Sequence, residues 1–316
     1  MELALGMLSG PDVLGLARLL LLGLVLYAAV LTGLTAWRLV RPARRTYGWA
    51  VARGVPGDPG ELDRPLDYES WTFRSRGRSL PVWDVRGLDA SGPTVIVTHG
   101  WGSSRLGALA RLPCLAGVSS RVVMWDMPGH GDARGVSELA RGEVRDLCEL
   151  VRRVRGESGG PPMLFGWSLG AEITLRALAS GDAEARAAVL EGAYRRGLTP
   201  AWNVLRGWGY PALVNAPAAL GAIGLIWGLN PSRRFADLAP LADLVDAPVL
   251  LLHGTADRTC PIVDARALSD RFAEAELVEL DGAGHNNLWT EAEHREAACA
   301  AVRRFVSDRF ASGRGA

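Results

Sequence analysis

The pentapeptide Gly166-Trp167-Ser168-Leu169-Gly170 constrains this chain more than any other stretch. It follows the apolar run PMLF and opens the helical run LGAEITLRAL, so the serine stands on a sharp turn from a strand into a helix. The flanking glycines let the backbone turn tightly enough to lift the hydroxyl clear of a sheet. Out of that context the pattern is common, and the alternative is a serine that merely caps a helix N-terminus.

The rest of the chain supplies the context. YESWTFRS and LPVWDV read as strands joined by a glycine-containing turn, and PTVIVTHG, RVVMWD, PMLFGWS, AAVLEG, APVLLLHG and AELVELDG as further strands. Helical runs lie between them at EVRDLCELVRRV and LGAEITLRAL, and AEHREAACAAVRRFV closes the series. Continuous apolar strands alternating with helices predict an α/β fold, with a mainly parallel central sheet covered on both faces. In such sheets chemistry collects beyond the carboxyl ends of the strands, where Trp101, Ser168, Asp257 and His285 fall.

Those residues suit nucleophilic catalysis. His285, in the glycine-rich loop DGAGHNN, has a ring that titrates near neutrality and can take the proton of Ser168. Asp257, in the turn after APVLLLHG, can accept from the far side of that ring and fix its tautomer. Glu191, after VLEG, is the alternative acid. Backbone N–H groups of Leu169 and Trp101, the latter in the turn HGWG, are the candidate oxyanion donors. His99 and His253 are expected to make structural hydrogen bonds, His130 to shape a loop near the pocket mouth and His294 to lie exposed.

Charge and cysteine count remove other classes. A net charge of +1, with no basic cluster, gives no electrostatic case for nucleic acid. All 35 basic residues are arginine, which carries no functional weight. Cys114, Cys148, Cys260 and Cys299 form no metal-ligand spacing, so isolated, reduced thiols are expected, with no metal and no cofactor. Cys260, close to Asp257, is read as buried and structural in preference to lining a pocket.

Leu19 to Trp37 carry no charge, and as a helix they would span ~28 Å, close to the hydrocarbon thickness of a bilayer. With Glu2 and Asp12 ahead of it, this stretch reads as an uncleaved anchor and not as a signal peptide. Arg38, Arg41, Arg44 and Arg45 follow it while Arg18 precedes it, which predicts a single-pass membrane protein with its catalytic domain in the cytoplasm. Reduced thiols would agree with that side. The expected organisation is an anchor over 1–45, a linker over 46–65 and one domain over 66–312. Within the domain, 198–241 is an apolar insertion whose Pro211 and Pro217 argue for a helical cap and against a second span. Trp202, Trp208, Tyr210, Leu225 and Trp227 would line an acyl pocket, dip into the membrane interface or simply pack the cap.

On THGWG, DMPGHG, GWSLGA, HGTADRTCP and GAGHNN, in that order, the chain resembles the α/β-hydrolase superfamily over roughly residues 66 to 312. The overall look is closest to its serine-aminopeptidase-like and monoacylglycerol-lipase-like branch. The resemblance implies a serine hydrolase of the carboxylesterase or lipase kind, with the triad Ser168, Asp257, His285 and no cofactor. DMPGHG departs from the DxRGHG loop common there, so no role for that arginine carries over. The expected substrate is a small-molecule or lipid-like ester or thioester. A peptidase or amidase, and a non-catalytic membrane-tethered binding module, are the alternatives.

Overall fold

Strands form where β-branched and aromatic residues run together, and they pair into one eight-stranded sheet. The computed structural model describes residues 10–227 and 236–310. The strands are β1 (Tyr68–Ser75), β2 (Arg78–Arg86), β3 (Thr94–Thr98), β4 (Arg121–Trp125), β5 (Met163–Trp167), β6 (Ala187–Glu191), β7 (Val249–Gly254) and β8 (Ala275–Leu280). Their order is β1-β2-β4-β3-β5-β6-β7-β8. The β1–β2 and β2–β4 pairs are antiparallel, and every later pair is parallel.

The helices are α1 (Gly10–Val40), α2 (Tyr47–Val51), α3 (Leu112–Ala116), α4 (Glu143–Ser158), α5 (Leu169–Ala179), α6 (Leu198–Gly207), α7 (Ala212–Ile226), α8 (Ala239–Ala242), α9 (Ile262–Ser269) and α10 (Ala292–Phe310). The period of two along each strand divides them between two cores. In β3, Ile96 joins Leu147 of α4, Ile173 of α5 and Leu268 of α9 on one face. Its neighbours Val95 and Val97 join Leu115 of α3 and Phe305 of α10 on the other. The sequence-based expectation of a mainly parallel sheet with helices on both faces describes this architecture.

Residues 46–65, read from the sequence as a linker, pack on the domain. They hold α2 and a single helical turn at Pro59–Glu61 whose first amides are capped by Asp58. Ala50 is fully buried in the second core, with Trp49 and Leu62 packed against it. So short a packed segment shows no hydrophobic period from which it could be read.

The long helix α1 ends against α7. From Val13 to Val30 its larger apolar side chains stay 49–67% exposed, with no protein covering them. Its last turns differ: Ala36 and Leu39 are buried against Ala219, Leu220 and Ile223 of α7. The buried Asn215 amide donates to Thr35 Oγ1 at 2.6 Å.

Cys114 of α3 and Cys299 of α10 form a disulfide, their Cα atoms 5.7 Å apart. The expectation of four free thiols is corrected for this pair. Its partners lie 185 residues apart, and only the packing of α3 on α10 brings them together. The thiol argument for a cytoplasmic domain falls with it. Cys148 and Cys260 are free and buried.

Glu143, at the start of α4, is completely buried and its Oε1 accepts from the Glu138 N–H at 2.6 Å. Burial pushes its pKa up to about 7. The folded state then holds a proton that the unfolded chain releases near pH ~4.3. The resulting stabilisation is complete below that pH and is lost as pH rises toward 7, by up to about 3 kcal/mol. Glu143→Gln should therefore gain several degrees in melting temperature relative to wild type between about pH 5 and about pH 8. A difference between the two proteins that does not change with pH contradicts this.

Candidate active site

Ser168 sits between β5 and α5 with φ 54° and ψ −114°, a left-handed conformation that a side-chain-bearing residue adopts at a cost of about 1–3 kcal/mol. The turn closes only because its neighbours lack side chains. A Cβ on Gly166 would lie 2.4 Å from the Gly170 carbonyl oxygen, and one on Gly170 would lie 2.0 Å from that of Thr98. The Ser168 N–H donates to the Glu191 carbonyl at 2.8 Å, tying the elbow to β6.

His285 reaches the serine from the loop after β8. Its Nε2 lies 3.0 Å from Ser168 Oγ and its Nδ1 lies 2.6 Å from Asp257 Oδ2. Asp257 Oδ1 accepts from the Thr259 and Cys260 N–H groups, each at 2.8 Å, so the carboxylate is held by its own turn. The Asp257 side chain is 1% exposed and that of His285 11%. Gly192 also matters here, with φ +58° and a missing Cβ that would come 3.1 Å from His285 Cε1.

Glu191, the alternative acid, is occupied elsewhere. Its carboxylate takes two bonds from Arg111, at 2.5 and 2.8 Å, and one from Trp289 Nε1 at 2.8 Å. Arg111 in turn lies 3.9 Å from the Trp167 ring centroid, so this buried pair braces the elbow from below. Among the described residues, the N–H groups of Trp101 and Leu169 are not spent on any protein acceptor, and both residues line the cavity in front of Ser168.

The other histidines fall into structural places. The His99 ring bonds the Gly100 carbonyl and accepts from the Met127 N–H, while His253 Nε2 donates to the Cys260 carbonyl. Burial lowers the pKa of both. His130 is buried against the His99 ring, beneath the loop it was expected to shape. His294, expected exposed, is partly covered and pairs with Glu291 at 3.2 Å.

Asp257, Cys260 and His285 bring ligand atoms within 4.8 Å of one another. The Asp257 oxygens are already taken by two amides and the imidazole, and burial pushes the Cys260 thiol well above its usual pKa. The group is thus arranged to hold and move a proton, with a thiol poorly suited to bind a metal.

The cavity in front of Ser168 has a volume of about 480 Å³, within the usual range for small-molecule sites. Val204 of α6, Trp208 directly after it, Leu220 of α7 and Leu39 of α1 form its apolar wall. On the opposite side Glu172 accepts from Tyr194 Oη at 2.6 Å and from Arg176 Nε at 2.8 Å. Of the five residues for which the sequence left pocket lining, membrane contact and plain packing open, Trp208 lines the cavity. Trp202 and Leu225 face outward, Tyr210 packs beside Leu205, and Trp227 packs on the α1–α7 cluster. Leu39 and Arg141 line the cavity with no signal in the sequence, because each is far from the serine along the chain.

Residues 95–302 match the model of the alpha/beta hydrolase family. The chain belongs to that family. Among curated proteins, this alpha/beta hydrolase is 28% identical over 252 residues to the pimeloyl-[acyl-carrier protein] methyl ester esterase of Neisseria meningitidis serogroup B, covering 67% of this chain and 92% of that one. The homologous enzyme of Chromobacterium violaceum is 27% identical over 230 residues, 61% of this chain and 87% of that one. Among solved structures, an esterase from Pyrococcus furiosus superposes with a TM-score of 0.65 at 17% identity, covering 86% of this chain and 98% of that one. An esterase from Exiguobacterium antarcticum gives 0.57 at 18% identity, with 76% and 100% covered. These superpositions speak for the fold, and both curated relatives carry the name of a methyl ester esterase.

Proposed function

We propose that this chain is a serine esterase acting on an acyl ester or thioester with a lipid-like acyl group. The observation that carries the reading is the hydrogen-bonded series Ser168–His285–Asp257, opening on a cavity with an apolar wall. Ser168 attacks the carbonyl as His285 takes its proton, and the backbone N–H groups of Trp101 and Leu169 receive the negative charge on the oxygen. His285 then gives its proton to the leaving alcohol or thiol, and water resolves the acyl-enzyme by the same steps in reverse. Kinship with the monoacylglycerol-lipase-like branch is part of this proposal, and the methyl ester esterases among the relatives support ester cleavage.

The membrane enters through α1. Its uncovered part, Val13 to Val30, would span ~27 Å, close to the thickness of a hydrocarbon core. Beside its last turns, α7 holds Leu213, Val214, Leu225 and Ile226 at least 70% exposed, so the cap presents apolar surface next to the anchor. An acyl chain leaving the bilayer would meet the cavity at Leu39. The four arginines that follow the uncharged stretch Leu19–Trp37 support a cytoplasmic domain.

A panel of p-nitrophenyl esters from acetate to dodecanoate, run beside an aminoacyl amide, tests the assignment. The account expects kcat/KM to rise with acyl length to a medium-chain optimum, and each methylene accepted by the cavity to contribute up to about 0.8 kcal/mol. Faster turnover of the amide would replace it with the peptidase reading.

A further inference from the structure

A second, open cavity of about 850 Å³ adjoins the first, between β1, the start of α4 and the end of α5. Arg141 and Arg176 line both, so the two spaces meet there. Arg74, Arg76, Arg145 and Arg152 complete an arginine wall around it, against two lining carboxylates, Glu149 and Asp182. Six of the 35 arginines of a protein whose net charge is +1 thus stand around this cavity, beside the candidate active site.

The pairing pattern shows which of these arginines are free to act. Arg76 is held by Glu138 at 3.0 Å and Asp146 at 2.8 Å, Arg152 by Glu149 and Arg176 by Glu172, both at 2.8 Å. Among the described residues, the guanidinium groups of Arg74, Arg141 and Arg145 have no carboxylate or hydrogen-bond partner, and all three residues are exposed.

The segment carrying Arg141 is held in an unfavourable backbone shape. Leu139 and Ala140 have φ of 53° and 66°, although neither is glycine. They stay there because the Glu138 carboxylate is clamped by Arg76 and by Arg78 at 2.6 Å, while its N–H donates to the buried Glu143. The Arg76–Glu138 pair packs directly over Gly142, where a Cβ would lie 2.1 Å from Arg76 Nη1. Strain retained by so many contacts, at the junction of two cavities, marks a segment whose shape serves a site.

We infer that this arginine-lined cavity binds a phosphate on the non-acyl part of the substrate, so that the enzyme takes acyl esters or thioesters of phosphorylated alcohols or thiols. The inference rests on the esterase reading for its direction. The acyl chain lies along Val204, Trp208 and Leu220, and the leaving group points through the Arg141 junction. Three unpartnered guanidinium groups suit phosphate, which offers three oxygens and up to two charges to forked donors, better than a carboxylate that one arginine would satisfy.

Two pairs of non-hydrolysable ligands test this by titration calorimetry on the full chain in uncharged detergent. One is 1-O-octylglycerol-3-phosphate beside 1-O-octylglycerol, the other the S-octyl thioether of 4′-phosphopantetheine beside that of pantetheine. The phosphorylated member of at least one pair should bind at least about 10-fold more tightly, and which pair it is separates a short glycerol phosphate from a long phosphorylated arm. The advantage should fall below about 3-fold in Arg141→Ala/Arg145→Ala and at about 0.5 M salt, where the Debye length is roughly 4 Å. If the double variant does not fold, Arg74→Ala alone should reduce it. Equal affinity within both pairs, or an advantage that survives these substitutions, overturns the inference. Because binding is read without turnover, failure of the esterase reading would show separately, as loss of ester hydrolysis with the phosphate preference intact.

Discussion

Asp257→Asn should lower kcat for a medium-chain ester by about 10⁴-fold while leaving the fold intact. The carboxylate oxygen facing His285 Nδ1 lies at 2.6 Å, and the other oxygen is fixed by two backbone amides. An amide in that turn would keep its oxygen toward the Thr259 and Cys260 N–H groups and turn its NH₂ toward the imidazole. His285 would then carry its proton on Nε2, which faces Ser168, and could not accept the serine proton. Glu191→Gln is the informative companion. It leaves Arg111 buried beside a neutral partner, at a cost of up to about 3–5 kcal/mol of stability, but should leave kcat of the folded protein within about 10-fold. If the two variants exchange these effects, Glu191 is the acid and the assignment is wrong.

The parts of the molecule that were legible in the sequence are those fixed locally. The elbow at Gly166–Gly170 announces itself because two missing side chains and a strand-to-helix change fall within five residues. The strands were readable for a related reason, since apolar runs such as VLLLHG are buried on both faces of a parallel sheet. Trp101, Ser168, Asp257 and His285 could be picked out because each follows such a run.

What sequence could not supply depends on contacts between distant segments. Nothing near Cys114 signals Cys299, and nothing in α1 signals that Leu39 will line a cavity or that its carbonyl will accept from Trp101 Nε1 at 2.8 Å. The last contact ties α1 to a residue that lines the cavity in front of Ser168. Glu191 was ambiguous for the opposite reason, because its position at a strand end fits an acid equally well, and only the partner Arg111, 80 residues away, sets its role. The arginine cavity was invisible because its members come from three distant places, Arg74 and Arg76 at the end of β1, Arg141, Arg145 and Arg152 just before and within α4, and Arg176 in α5.

The second large effect belongs to Ser168. Its Oγ lies 3.0 Å from His285 Nε2 on a strained turn, and removal of a triad serine can reduce turnover by about 10⁶-fold. The most direct measurement is therefore covalent labelling of the full-length protein with a fluorophosphonate probe, run beside Ser168→Ala and with esters of graded chain length as competitors. The account predicts that the wild-type protein is labelled at Ser168, that the variant is not, and that medium-chain esters compete best. Folded wild-type protein that takes up no label, or a variant that is labelled as well as wild type, would contradict it.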